Sequence, residues 1–162
     1  MRATFALSTI AAALLLVNPA LASPGESGKV HVNFSKCPAA TPDDAPAGTV
    51  FVYAGPVTGA VTGDLVVFGL PGAFDQVEGR TYLEANYEVT ATDGSSRSFT
   101  AHVGGRMNND GTMRAILYGF VSEGWLRGAQ VVDMFVGTGS GCVTGTLTIA
   151  PKWAPPHGGW DD

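Results

Sequence analysis

Between Thr81 and Thr92 the chain alternates strictly, and this constrains its fold more than any other feature. Leu83, Ala85, Tyr87, Val89 and Ala91 fall on one face; Tyr82, Glu84, Asn86, Glu88 and Thr90 fall on the other. A period of two is that of extended backbone, whose successive side chains point to opposite faces. The same period recurs in Lys29–Phe34 (Val30, Val32, Phe34), Thr49–Tyr53, Asp64–Phe68 and Ser98–Gly104 (Phe99, Ala101, Val103). It returns in Met113–Val121, Ala129–Val136 and Cys142–Ile149. Turn signals stand between the later runs: Thr92-Asp-Gly-Ser-Ser96, Asn108-Asn-Asp-Gly111 and Gly137-Thr-Gly-Ser-Gly141. Residues 35–48, with Pro38, Pro42 and Pro46, read as an irregular crossing loop, and Leu70–Val77 breaks the strand pattern.

The chain carries 22 glycines. Each costs about 1 kcal/mol inside a helix, so this density argues against helical structure. Val-Thr-Gly recurs at 57–59, 61–63 and 143–145, which reads as strand with bends or bulges that glycine permits. About eight short antiparallel strands with short turns close on themselves, because an open sheet leaves unpaired edges. The expected fold is therefore an all-β, eight-stranded, antiparallel up-and-down barrel. Its expected organisation is a leader over 1–22, an N-terminal segment over 23–47, the barrel over 48–150 and a Pro/Gly/Trp tail over 151–162.

The leader has the parts of a cleaved export signal. Arg2 is followed by the apolar run Phe5–Val17 and then by Ala20-Leu21-Ala22, a small-x-small site before Ser23. That run is shorter than the roughly 20 apolar residues of a membrane-spanning helix. A secreted or periplasmic protein, not integral to a membrane, is the expectation. In such a compartment Cys37 and Cys142 are expected to pair and staple the N-terminal segment to the last strand. The formal charge is −5 and no basic stripe exists, which removes the usual electrostatic source of nucleic-acid affinity.

Nucleophile-elbow, phosphate-loop, dinucleotide and zinc-protease signatures are absent. His31, His102 and His157 lie far apart, so neither a metal nor a cofactor is expected. Asn33-Phe-Ser35 is an acceptor sequence for N-glycosylation. Asp133 shares a strand face with Val131 and Phe135. Pointing inward it is a candidate acid or base of raised pKa; pointing outward or displaced by a bulge it is a rim residue. Asp64, beside Val66 and Phe68, has the same two readings. Tyr87 is either a ligand-contacting hydroxyl or an ordinary core tyrosine. Glu84 and Glu88 form a carboxylate pair if their face lines a lumen and a solvated surface otherwise. Arg114 reads as a snorkelling side chain.

The segment Asp110-Gly-Thr-Met-Arg-Ala-Ile-Leu-Tyr-Gly-Phe-Val-Ser-Glu-Gly-Trp-Leu-Arg-Gly-Ala-Gln-Val131, with Gly55–Gly63 followed by Asp64-Leu-Val-Val67, resembles the allene oxide cyclase/dirigent-like β-barrels. The resemblance covers roughly residues 48–150 and implies an eight-stranded barrel with an apolar cavity. No catalytic position of the cyclases matches residue by residue. Three functions stay open. One is non-catalytic binding of a small apolar molecule by Leu83, Ala85, Tyr87, Phe99, Ala101, Val131 and Phe135. Another is a cofactor-free cyclase or isomerase using Asp133 or Tyr87. The last is an extracellular protein-interaction or inhibitor module. A roomy cavity holding an inward acid favours the enzyme, a dry apolar cavity the carrier, and a filled interior with aromatics outside the interaction module.

Overall fold

The computed structural model describes residues 28–71, 76–77, 80–108, 113–138 and 141–151. The leader with its cleavage site, and the tail with His157, Trp153 and Trp160, lie outside the described residues. The strands are β1 (Val30–Pro38), β2 (Phe51–Gly59), β3 (Gly63–Gly69), β4 (Gln76–Val77), β5 (Arg80–Ala91), β6 (Phe99–Asn108), β7 (Arg114–Gly124), β8 (Gln130–Gly137) and β9 (Val143–Ala150).

Every pairing is antiparallel, and the order is β3-β2-β1-β9-β8-β7-β6-β5-β4. Pairing of β3 with β5, from Gly63 opposite Ala91 to Gly69 opposite Ala85, closes the ring. The result is the eight-stranded barrel that the periodicity predicts, with β4 extending one edge of β5 beyond the end of β3. Described helices are absent, and none of the described residues forms a helix long and apolar enough to cross a membrane.

The inward faces are those of the alternation. Val32 and Phe34, Leu65 and Val67, Leu83 to Val89, Phe99 to Val103, Leu117 and Val121, Val131 and Phe135, and Leu147 and Ile149 are all buried in one core. A barrel this narrow coils its strands tightly, and some backbones meet where a side chain would stand. A Cβ on Gly119 would lie 1.7 Å from the carbonyl oxygen of His102, and one on Gly63 would lie 2.0 Å from that of Thr90. A register shift between Thr100 and Ala101 adds a local bend to the β6–β7 pair.

One element differs from the sequence reading. Residues 35–38 belong to β1 rather than to a loop, because Ser35 and Lys36 pair with Thr144 and Val143 of β9. Pro38 interrupts the strand only at its last position, where a missing N–H is tolerated. The N-terminal segment thus contributes a full wall of the barrel, between β9 and β2. Its end is fixed by the Cys37–Cys142 disulfide, which the structure contains with a Cα–Cα distance of 4.1 Å. That bond is compatible with an extracellular or periplasmic location.

The two barrel ends differ. At one, Trp125 packs on Phe99 with ring centroids 6.3 Å apart, beneath the Arg97 guanidinium at 5.6 Å, and Val61 and Ala129 complete a plug. At the other end β1 and β8 finish and β9 begins, and the disulfide lies there.

Three stability measurements follow from this geometry. The disulfide closes a separation of 105 residues, so reducing it lowers the urea-unfolding free energy by about 2–5 kcal/mol. Gly119→Ala costs about 3 kcal/mol through overpacking against His102. Gly94→Ala, at a positive φ but with open space around it, costs about 1 kcal/mol.

Candidate functional site

Three inward-facing polar side chains meet inside this apolar barrel. β1 continues its buried alternation from Val32 and Phe34 to Lys36, β5 presents Tyr87, and β8 presents Asp133. Lys36 is 4% exposed, Tyr87 1% and Asp133 0%. Asp133 and Val32 lie at one level of the wall, both opposite Leu147 of β9. Tyr87 stands on the far wall, between Val67 and Ala101, so its ring spans the interior to reach them.

The three form one hydrogen-bonded chain. The Lys36 ammonium donates to the Tyr87 hydroxyl, and that hydroxyl donates to Asp133 Oδ2 at 2.6 Å. Asp133 Oδ1 is buried and has no hydrogen-bond partner among the described residues. Aromatic faces surround the ammonium: Nζ lies 4.0 Å from the Tyr87 ring centroid, 4.6 Å from that of Phe34 and 5.1 Å from that of Phe135. Such faces offer a cation partial compensation for lost water.

Electrostatics follow from burial. Desolvation lowers Lys36 to about 8, against the opposing pull of Asp133. Desolvation raises Asp133 above the ordinary carboxylate range, opposed by the Lys36 charge and the Tyr87 hydrogen bond. Tyr87 is pushed well up by its burial, by the Asp133 charge and by the bond it donates. The phenol therefore stays protonated and links a cation to an anion.

Beside Lys36, toward the disulfide end, lies a cavity of about 70 Å³. Its other walls are almost wholly apolar, and Phe51, Leu83, Met107, Met113, Leu117 and Phe135 form most of them. Asp133 does not border this space; Tyr87 stands between. Of the predicted lining residues, Leu83, Ala85, Tyr87 and Phe135 border the cavity, whereas Phe99, Ala101 and Val131 pack into the surrounding core.

Comparison with protein-family models, with curated proteins and with solved structures finds no match.

The remaining sequence candidates separate cleanly. Asp133 takes the inward alternative. Asp64 is exposed on the outer face, as are Glu88 and Arg114. Glu84 engages His102 Nε2 at 3.0 Å on the outer surface, and Asn86 meets the other ring nitrogen at 3.0 Å, so Glu84 and Glu88 form no lumenal pair. His31 is exposed beside Thr148. No cluster of metal-ligating side chains exists among the described residues. Outside the barrel an open trough of about 840 Å³ runs past Arg106, Arg114, Ile116 and Met134, but it holds no buried polar group. Lys36 is the residue that sequence reasoning missed. One more step of the alternation from Phe34 reaches it, but Cys37-Pro38 reads as the start of a loop.

A buried ion pair broken on one side costs about 3–5 kcal/mol, whereas replacing the whole set with apolar groups is often neutral or stabilising. Lys36→Met is thus expected to lose about 3–5 kcal/mol in urea unfolding at pH 7. Combining it with Tyr87→Phe and Asp133→Leu should recover most of that loss. The pH dependence has a defined sign. Between about 8 and 10.5 the unfolded chain holds a proton on Lys36 that the folded chain has released, so the Lys36 contribution to stability rises with pH. From pH 8 to 10, wild-type protein should gain stability relative to Lys36→Met.

Proposed function

We propose that this barrel binds a small apolar molecule at its disulfide end, without turnover. The observation that carries the reading is the pairing of an apolar cavity with one cationic donor in its wall. The Lys36 ammonium makes a single hydrogen bond among the described residues, to Tyr87, although it has three N–H groups. Its remaining donors supply orientation, and Phe51, Leu83 and Leu117 supply apolar burial. That combination, mostly apolar lining with few polar groups, is the usual composition of a small-molecule site.

The size of the space bounds the ligand. A cavity of about 150 Å³ accommodates benzene, and this one is about 70 Å³. The ligand is therefore only a few heavy atoms across where it meets Lys36. A larger one requires the side chains of Met107 and Met113 to rotate aside, which unbranched thioethers do readily. Export by the leader and pairing of the cysteines fit a protein that meets its ligand outside the cytoplasm.

A second reading, a protein-contact module, draws on the outer wall. Tyr118, Phe120, Ile116 and Met134 on β7 and β8 are 63, 50, 44 and 55% exposed, an aromatic and aliphatic band on the solvent side.

Native mass spectrometry of protein isolated from its own host separates the readings. Small-molecule binding predicts a mass above that of the polypeptide, lost on denaturation. Ala85→Phe, which fills the cavity, should reduce that excess at least about tenfold, equivalent to roughly 1.4 kcal/mol of binding free energy. A bare monomeric mass from every preparation sinks the carrier reading.

A further inference from the structure

Lys36, Tyr87 and Asp133 form a buried hydrogen-bonded chain with an amine at one end and a carboxylate at the other. Their hydrogen bonds run in one direction, from Nζ to the phenol oxygen and from the phenol to Oδ2. Moving one proton along each bond converts ammonium, phenol and carboxylate into amine, phenol and carboxylic acid. Both buried charges disappear and no proton is exchanged with solvent. Lys36, which carries the amine so produced, lines the cavity together with Tyr87, whereas Asp133 does not.

We propose that Lys36 captures small apolar aldehydes or ketones in this cavity as a reversible imine. The inference rests on the cavity being a small-molecule site and names the class of molecule it takes. Charge balance argues against an anion, and the amine of Lys36 selects the carbonyl class among neutral molecules. Asp133 already balances the ammonium through Tyr87, so a carboxylate ligand would leave one uncompensated negative charge in an apolar interior. A carbonyl compound is neutral, and its oxygen accepts from the free N–H donors of Lys36.

The step balances. With the proton displaced to Asp133, the Nζ lone pair attacks the carbonyl carbon, the C–N bond forms and the C=O π pair moves to oxygen. The proton that Nζ then sheds gives a carbinolamine. Its hydroxyl takes the proton stored on Asp133, returned through Tyr87, and leaves as water while the nitrogen lone pair forms C=N. The sum is ammonium plus carbonyl giving iminium plus water, with no oxidant or reductant. The iminium occupies the place of the ammonium, and Asp133, ionised again, is its counter-ion.

Burial supports the chemistry. An amine held at about 8 has far more neutral form at pH 7 than an exposed lysine, and desolvated lysines in apolar pockets are a recurring source of imine-forming nucleophiles. Tyr87, Asp133 and, across the cavity, Tyr53 are the titratable groups placed around Lys36.

The chain has three lysines, Lys29, Lys36 and Lys152, so labelling is easy to assign. Purified protein with its disulfide intact is treated with limiting butanal and cyanoborohydride at pH 7, then digested and mapped by mass. Lys36 is expected to acquire the butyl group at least about tenfold faster than exposed Lys29. In parallel, methyl NMR of the methionines follows titration with butanal and with butan-1-ol, which has no carbonyl. Saturable shifts of Met107 and Met113, without Met134 on the outer wall, report uptake. Labelling of Lys36 no faster than Lys29, with those shifts present, overturns carbonyl capture and leaves the binding reading standing. The absence of both labelling and shifts overturns both.

Discussion

Ring closure is the constraint on which the rest of this structure depends. The β3–β5 ladder joins two strands that would otherwise be edges, so almost every backbone group on the barrel wall finds a partner in a neighbouring strand. Closure at this diameter has a steric consequence: backbones cross close enough that glycine stands where any other residue would collide, as at Gly119 and Gly63. It also fixes which faces look inward. Once the ring is closed, a one-residue slip in any strand would turn its whole apolar set toward water.

Inside that ring the polar chain of Lys36, Tyr87 and Asp133 ties three walls together. Its contribution to stability is modest or negative against an apolar replacement, because two charges have been removed from water. What it supplies is direction. Tyr87 can satisfy both partners only with its hydroxyl proton on the Asp133 side and its lone pair toward Lys36. The Phe34, Tyr87 and Phe135 rings hold the ammonium from several sides. The disulfide at Cys37 anchors the strand one residue beyond Lys36, so the cation sits on a firmly held stretch of backbone. Among the described residues Trp125 packs into one end of the barrel, and the space beside Lys36 lies toward the other.

Much of the architecture was legible because alternation is a local property. Leu83 to Val89 announced an inward face without any knowledge of their partners, and the turn sequences announced where strands end. The cysteine pairing was legible from their number, two in the whole chain, together with the compartment expected from the apolar N-terminal run. The site was legible only in part. Tyr87 and Asp133 stood out as polar residues on apolar faces, but their reach toward each other across 46 positions of sequence has no local signature. Lys36 was hidden by its neighbours. Pro38 reads as a loop residue until β9 is seen to pair with the strand up to Lys36. Phe99, Ala101 and Val131 share the inward face with the cavity-lining residues, and sequence cannot say at which height of a barrel the side chains leave space.

Sequence by itself thus determined the strand content, the inward faces and the two cysteines available for pairing, since each follows from residue type and a period of two. Tertiary structure alone decided that Lys36, Tyr87 and Asp133 share one hydrogen-bonded chain, and that the free space lies beside Lys36 rather than Asp133. The physical reason is that side-chain direction is set residue by residue along a strand. The distance between side chains on opposite walls is set by closure of the whole ring.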